Sequence, residues 1–483
     1  MNKPLRRLSL IALIMFVALF ASSTWISYVK APQLNADSRN TRTLYREFGT
    51  NRGPIVVDGN EIVKSTPVKS AFKYQREYTD GTLFAPVTGF YSIVYGRTGI
   101  ERASNEYLNG SSDSLWWTRL EHLITGADPQ GSSVELTINR KAQEAAYKAL
   151  GNQRGAAVAI NPKTGAILAL VSKPSFDPND LAGHTSAEVV AAYKALEGDK
   201  DQPLVNRAIA GDTYPPGSVF KLVVSAAALE NGMSKDDVID APRQYLLPGT
   251  STKLNNFGGA ACSATGKQTL ADALRISCNT AFAQLGNTLG EDKIAAQAKK
   301  FGFGDTLTIP LTVTASRYPT GQNDAQVALS AIGQQSVRVT PMQVAMVAAA
   351  IANDGKLMTP YLVDTIRTPD LQVVSQASPK EFSNPISAAT AQQLTDMMLG
   401  VVQHGTGTAA QISGVKVAGK SGTAETGTNK NQHAWFTAFA PADDPEIAVA
   451  VVVENGGDAG SEATGGSVAA PIARAIMKAV LDQ

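Results

Sequence analysis

The 483-residue chain has almost no surplus of charge: 43 basic side chains against 42 acidic ones leave a formal net charge of +1. No Lys/Arg cluster occurs beyond the first seven residues, which excludes a nucleic-acid surface, because that needs a concentrated basic patch. Histidine is scarce as well. The four residues His122, His184, His404 and His433 are scattered without HExxH or any other ligand-like spacing, so no metal centre is expected. The glycine-rich run 455–466, NGGDAGSEATGG, lacks the strand–GxxxxGK[ST]–helix context of a phosphate cradle and is expected to be a connector. No solenoid or propeller repeat is evident. There are only two cysteines, Cys262 and Cys278, 16 residues apart. A disulfide between them would close a loop worth roughly 3 kcal/mol in the chain-entropy model, and two buried free thiols are the alternative.

What is present is an ordinary globular composition, 43% hydrophobic and 18% charged, in a chain long enough for two or three domains. Lys3, Arg6 and Arg7 precede the uncharged segment 8–29, LSLIALIMFVALFASSTWISYV. At ~1.5 Å per residue it can cross a ~30 Å hydrocarbon layer. The basic tip would stay cytoplasmic, and Trp25 and Tyr28 suit the far interface. A cleaved signal peptide ending near Ala21-Ser22-Ser23 is the competing reading, although the apolar run continues past that site. Either way, the chain after about residue 30 is expected outside the cytoplasmic membrane.

Residues 31–130 mix polar turns with short strand-like runs such as Ile55-Val56-Val57 and 90–95, and hold no acid/base constellation. The turn-rich stretch 126–133, GADPQGSS, marks a boundary, giving expected units 1–30, 31–130 and 131–483. Beyond it the pattern predicts a helix over 139–150, a hairpin of strands 156–160 and 166–171, and a buried helix over 340–353. Strands over 415–425, 433–441 and 446–455 and a terminal helix from about Val468 follow. This order implies an α+β fold, a largely antiparallel sheet covered by helices.

Two prolines and a glycine stop the chain in YPPGSVFKLVVSAAALE. If a helix starts near Ser218, Lys221 lies on the same face one turn away. Residues 222–229 are apolar nearly all round, as in a buried helix. A buried lysine loses its proton more readily, and a neutral amine beside a hydroxyl is a general base beside a nucleophile. On this motif alone, a capping Ser218 with a snorkelling Lys221 remains the other reading. Two further fragments shift the balance: Ser277-Cys278-Asn279, and Lys420-Ser421-Gly422-Thr423 on an expected strand. SxxK, SxN and K[ST]G in this order are the set of penicillin-binding proteins and class A β-lactamases. Lys163-Thr164-Gly165 is a decoy, since it precedes the other motifs and falls in a hairpin turn.

From about residue 131 onward the chain resembles the transpeptidase domain of class B penicillin-binding proteins. The segments NPKTGAILALVSKPSFDPN, YPPGSVFK, ISCNTAFAQLG and GTGTAAQISGVKVAGKSGTAE carry the resemblance, and NRGPIVVDGNEIVKS (51–65) resembles the start of that family's non-catalytic pedestal. The short pedestal and overall length look most like the family's actinobacterial A group. The resemblance implies a cofactor-free serine D,D-transpeptidase acting on peptidoglycan stem peptides that end in D-Ala-D-Ala, and a covalent target of β-lactams. It implies Ser218 as nucleophile, Lys221 as its base, and Ser277 as proton relay under the influence of Lys420. Asn279 would hold the substrate amide and Lys221, and the backbone N–H groups of Ser218 and Thr423 would form the oxyanion hole. Ser421, Gly422 and Thr423 would receive the substrate. Residues 31–130 would meet cell-wall synthesis or divisome proteins. A D,D-carboxypeptidase is the nearest rival, and a membrane-tethered β-lactam sensor or divisome scaffold is another. A β-lactamase is disfavoured, because no Glu-x-x-Leu-Asn lies between the second and third motifs.

Overall fold

The computed structural model describes residues 3–35, 45, 47–113, 130–427 and 431–482. Residues 126–129 of the expected boundary, and His122, lie outside the described residues. The first helix, α1 (Lys3–Thr24), buries none of its side chains and continues as a π-helical segment to Val29. Together they form a 27-residue helix, with an 18-residue apolar window of mean hydropathy 2.1, long enough to cross a membrane.

β1 (Ile55–Val57) and β2 (Asn60–Pro67) form a hairpin. Its corner, Asp58-Gly59, takes positive φ at both residues, the backbone that a tight Asp-Gly turn supplies. β3 (Tyr74–Tyr78) and α2 (Gly81–Thr88) follow. The expected strand over 90–95 is shorter: only Tyr91–Ser92 pairs, with Gly96–Arg97, because residues 93–95 turn the chain back on itself.

β4 (Ser133–Leu136) leads to α3 (Arg140–Leu150), whose first turn is capped by the Asn139 side chain accepting from the Ala142 N–H at 2.9 Å. Next come β5 (Gly155–Ile160), β6 (Ile167–Lys173), α4 (Lys221–Glu230), α5 (Asn279–Leu289) and α6 (Pro341–Ala352), the last opened by a Thr340 cap and a proline at its first position. β7 (Val363–Arg367), β8 (Val373–Gln376) and α7 (Ala388–His404) precede β9 (Ala418–Ala424), β10 (His433–Ala440) and β11 (Ile447–Val453). The chain ends on α8 (Ala470–Leu481).

The central sheet runs β9-β10-β11-β5-β6 and is antiparallel throughout. α6 packs on one face of it and α3 and α8 lie together on the other. With helices on both faces, β5 and β11 are buried at every residue, so they read as unbroken apolar runs rather than alternating ones. β9 is an edge strand of this sheet, and its free side faces the turn that carries Ser218. α4 is buried from Lys221 to Leu229.

A second, six-stranded sheet runs β8-β7-β4-β1-β2-β3. β4 pairs in parallel with β1 and antiparallel with β7, through contacts such as Ile55↔Val134 and Val363↔Leu136. The amino-terminal sheet is therefore completed by strands from beyond residue 360, an arrangement no local pattern in the sequence announces.

Candidate active site

Ser218 is presented by a turn with little freedom. Pro215 and Pro216 have no N–H, and Gly217 takes φ 54, a left-handed conformation favouring glycine. The Gly217 N–H donates to the Gly333 carbonyl at 2.9 Å. A Cβ on Gly217 would stand 2.5 Å from the Thr423 carbonyl oxygen, so the turn is pressed against β9. The α-helix does not begin near Ser218 as expected. Residues Gly217–Phe220 form a 3₁₀ turn and α4 starts at Lys221. The tighter spiral still stacks Ser218 and Lys221, because positions i and i+3 eclipse in a 3₁₀ turn. Ser218 is half-buried and lines a cavity of about 1150 Å³.

Lys221 has no solvent exposure, which removes the snorkelling alternative. Its Nζ donates to Asn279 Oδ1 at 2.8 Å and to the Ser277 carbonyl at 2.8 Å, with Ser277 Oγ at 3.3 Å. Burial, and to a lesser degree the nearby Lys420 charge, hold this amine well below the usual lysine range. Ser277 has φ 61, a rare conformation for a non-glycine residue, and both its carbonyl and its hydroxyl meet Lys221.

Asn279 starts α5, and its N–H and that of Thr280 both donate to Asn256 Oδ1 at 3.0 Å. A remote asparagine thus satisfies the helix's free N–H groups. Cys262 and Cys278 are joined in a disulfide, resolving the alternative the sequence left open. The bond ties the second motif to the loop 252–262, most of which lines the cavity.

Lys420, Ser421, Gly422 and Thr423 lie on β9. Lys420 is fully buried, which pulls its amine down to about 7. Its Nζ donates to the Ser421 carbonyl at 2.7 Å. Ser277 Oγ lies 3.3 Å from Lys221 Nζ, and among the described residues no hydrogen bond joins it to Lys420. Ser421 Oγ shares a 2.5 Å hydrogen bond with Thr406 Oγ1. A Cβ on Gly422 would lie 3.0 Å from Val219 Cγ1 and 3.1 Å from the Pro216 carbonyl oxygen. Glycine there lets the Ser218 turn seat on the strand.

Ser218, Ser277, Asn279, Ser421 and Thr423 all line the cavity, while Lys221 and Lys420 are buried behind them. Thr406, Asn256 and Gly333 complete the site and were not singled out by the sequence. Their positions matter only through contacts that folding creates. Part of the glycine-rich run is more than a connector: Thr464, Gly465 and Gly466 line the cavity, and the Gly465 N–H approaches Thr423 Oγ1 at 3.4 Å. The decoy Lys163 instead pairs with Asp444 at an exposed turn.

A serine on a rigid turn, a dehydrated amine one 3₁₀ turn away and an edge strand facing both define a serine acyl-transferase. The family described as "Penicillin binding protein transpeptidase domain" matches residues 155–478, and "Penicillin binding protein A dimerisation domain" matches 52–134. The chain belongs to the penicillin-binding protein transpeptidases, among the PbpA-type peptidoglycan D,D-transpeptidases. It is 44% identical over 491 residues to peptidoglycan D,D-transpeptidase PbpA of Mycolicibacterium smegmatis, covering 100% of this chain and 99% of that one. It is 41% identical over 490 residues to the PbpA of Mycobacterium tuberculosis, with the same coverage. The structure of penicillin-binding protein A from M. tuberculosis as a ceftriaxone acyl-enzyme complex superposes with a TM-score of 0.88 at 41% identity, covering 90% of this chain and 100% of that chain. The penicillin G acyl-enzyme complex of the same protein gives 0.85 at 41% identity, covering 89% and 100%.

Proposed function

We propose that this chain cross-links peptidoglycan stem peptides by acyl transfer through Ser218. The observation that carries the reading is the buried Lys221 amine, held by Asn279 and Ser277 next to the serine turn. Ser218 Oγ attacks the carbonyl between the two terminal D-alanines, and Lys221 takes the hydroxyl proton. The N–H groups of Ser218 and Thr423 receive the oxyanion, a device typically worth about 2.7–4 kcal/mol per donor. The C–N bond then breaks, and D-alanine departs with a proton relayed through Ser277. An amine of a neighbouring stem peptide attacks the resulting ester, forming the cross-link amide and returning the proton to Ser218. Ser421, Thr423 and the Lys420 charge hold the terminal carboxylate, and Asn279 orients the substrate amide. β-Lactams mimic the D-Ala-D-Ala end and acylate the same hydroxyl, in keeping with the acyl-enzyme complexes of the M. tuberculosis relative.

Labelling with a fluorescent penicillin, followed by mapping of the modified peptide, tests the assignment. The label is expected on Ser218 and absent from Ser218→Ala; capture by that variant would overturn it. Dimeric peptides formed from a stem-peptide donor and acceptor separate this activity from a carboxypeptidase, which releases D-alanine alone.

The division into 1–30, 31–130 and 131–483 is part of this reading. The Lys3–Val29 helix serves as a single-pass anchor in the cytoplasmic membrane, with the remainder outside; its length and hydropathy support that role. An intact N-terminus on the membrane-extracted protein is the expected result, and a start near residue 24 would instead mean cleavage. Residues 31–130 meet cell-wall synthesis or divisome proteins, which crosslinking in cells would reveal.

A further inference from the structure

Immediately before the nucleophile turn, the chain is held by a polar cluster whose side chains do not line the substrate cavity. Tyr214 is nearly buried, and its hydroxyl donates to Glu454 Oε1 at 2.7 Å. The same oxygen accepts from Arg207 Nε at 2.8 Å, while Glu454 Oε2 accepts from Arg154 Nε at 3.0 Å. Glu454 follows the last residue of β11, and Arg154 precedes the first residue of β5. Those two strand ends are paired, Val453 against Gly155. The carboxylate is therefore fixed to the central sheet, where the Glu454 backbone N–H donates to the Arg154 carbonyl at 2.8 Å. Arg207 is 2% exposed, and its remaining guanidinium nitrogens bond the Asp201 and Gln202 carbonyls. Burial alone would push the Glu454 carboxyl up. The Tyr214 hydroxyl and the two guanidiniums outweigh it and keep the group ionised.

A second strut reaches the same turn. Trp435 is fully buried on β10, and its Nε1 donates to the Pro215 carbonyl at 3.1 Å. The Tyr214 ring meets Trp435 and His433 edge-on, at 5.9 Å and 5.4 Å between centroids. The Tyr214 backbone is paired in both directions with Val339, at 2.9 and 2.8 Å. Tyr214 and Pro215, four and three residues before Ser218, are thus gripped by the side chains of Glu454, which follows β11, and Trp435 on β10.

Resting on the reading of Ser218 as nucleophile, we propose that Glu454 and Tyr214 are positioning residues for acylation. Through the Tyr214 hydroxyl, a carboxylate anchored to the sheet sets the height of the serine turn against β9. Neither residue touches substrate; their contribution is to the rate of the covalent step. Trp435 acts in the same way through Pro215.

Tyr214→Phe deletes the hydroxyl and keeps the ring. Stopped-flow acylation by penicillin G separates the dissociation constant of the first complex from the acylation rate constant. The rate constant is expected to fall about 10- to 100-fold, the cost of displacing a reacting group by a fraction of an ångström to 1 Å. The dissociation constant should stay within about twofold, because the cavity-lining groups are untouched. Trp435→Phe should give the same signature and decides the matter if Tyr214→Phe does not fold. An unchanged rate constant, or a loss confined to the dissociation constant, overturns the proposal. The labelled residue is mapped in each variant. Label on a residue other than Ser218 would instead count against the nucleophile assignment, so the two failures are distinguishable.

Discussion

Lys221 donates to the side-chain oxygen of Asn279 across 2.8 Å, joining the first turn of α4 to the first turn of α5. Two residues 58 apart in sequence thereby fix the direction of the one buried amine that meets both Ser277 and Asn279. Removing the acceptor should release that amine without touching the serine. Asn279→Ala is expected to slow penicillin acylation by roughly 10- to 100-fold, and Lys221→Ala by about 10²- to 10⁴-fold, the range of general-base contributions. Time courses of fluorescent-penicillin labelling, with folding verified by circular dichroism, check both.

Gly217→Ala tests the seating of the serine turn. The added methyl would meet the Thr423 carbonyl oxygen at 2.5 Å, and φ 54 is strained for alanine. We expect a stability loss of about 1–3 kcal/mol from the backbone conformation. Acylation should drop by about 100-fold or more as the turn lifts from β9. Thermal melting and labelling rates read the two effects separately.

The buried lysines give stability a defined pH dependence. Lys420 titrates at about 7 in the folded chain, against an ordinary 10.5. Between those values the unfolded chain holds a proton that the folded chain lacks, so raising the pH through this window favours folding. Below about 7 both forms are protonated and this contribution is flat. Lys221, also depressed, adds the same sign. Tyr91 and Tyr214 are raised by burial and oppose the trend only above about pH 10, where the unfolded phenols ionise. The melting temperature should therefore rise between pH 7 and 9.5, and Lys420→Met should flatten that rise, as scanning calorimetry would show.

Reducing the Cys262–Cys278 bond should cost roughly 3 kcal/mol, the loop-closure term for a ring of this size. It should also slow acylation, because the second motif then loses its tie to the cavity-lining loop. Melting and labelling with and without reductant are the measurements; an acylation rate indifferent to reductant would show that the tie does not bear on the site.

The three motifs that meet at the cavity were legible because each is local and sits in an element with a clear pattern. Ser218 and Lys221 precede an apolar run, and Lys420 to Thr423 lie in a strand. The central sheet was legible for a related reason: burial on both faces leaves β5, β10 and β11 as continuous apolar segments bounded by turns. Thr406, Asn256 and Glu454 were not, since each gains its role from a partner far away in sequence: Ser421 (15 residues), Asn279 (23) and Tyr214 (240). The 3₁₀ turn at Ser218 also escaped, because periodicity over four residues cannot separate it from an α-helical first turn. Cysteine spacing permitted a bond between Cys262 and Cys278 without requiring it.

The six-stranded sheet is interleaved along the chain: β4 sits between β1 and β7, so the amino-terminal lobe is unfinished until residue 376 is available. A fragment cut at residue 134, where the dimerisation-domain match ends, would retain β1 to β3 but only the first two residues of β4, exposing unpaired backbone groups along β1 where β4, and beyond it β7, belongs. Such a piece should self-associate when expressed alone, and during biosynthesis the lobe must wait, open-edged, for most of the polypeptide to follow it.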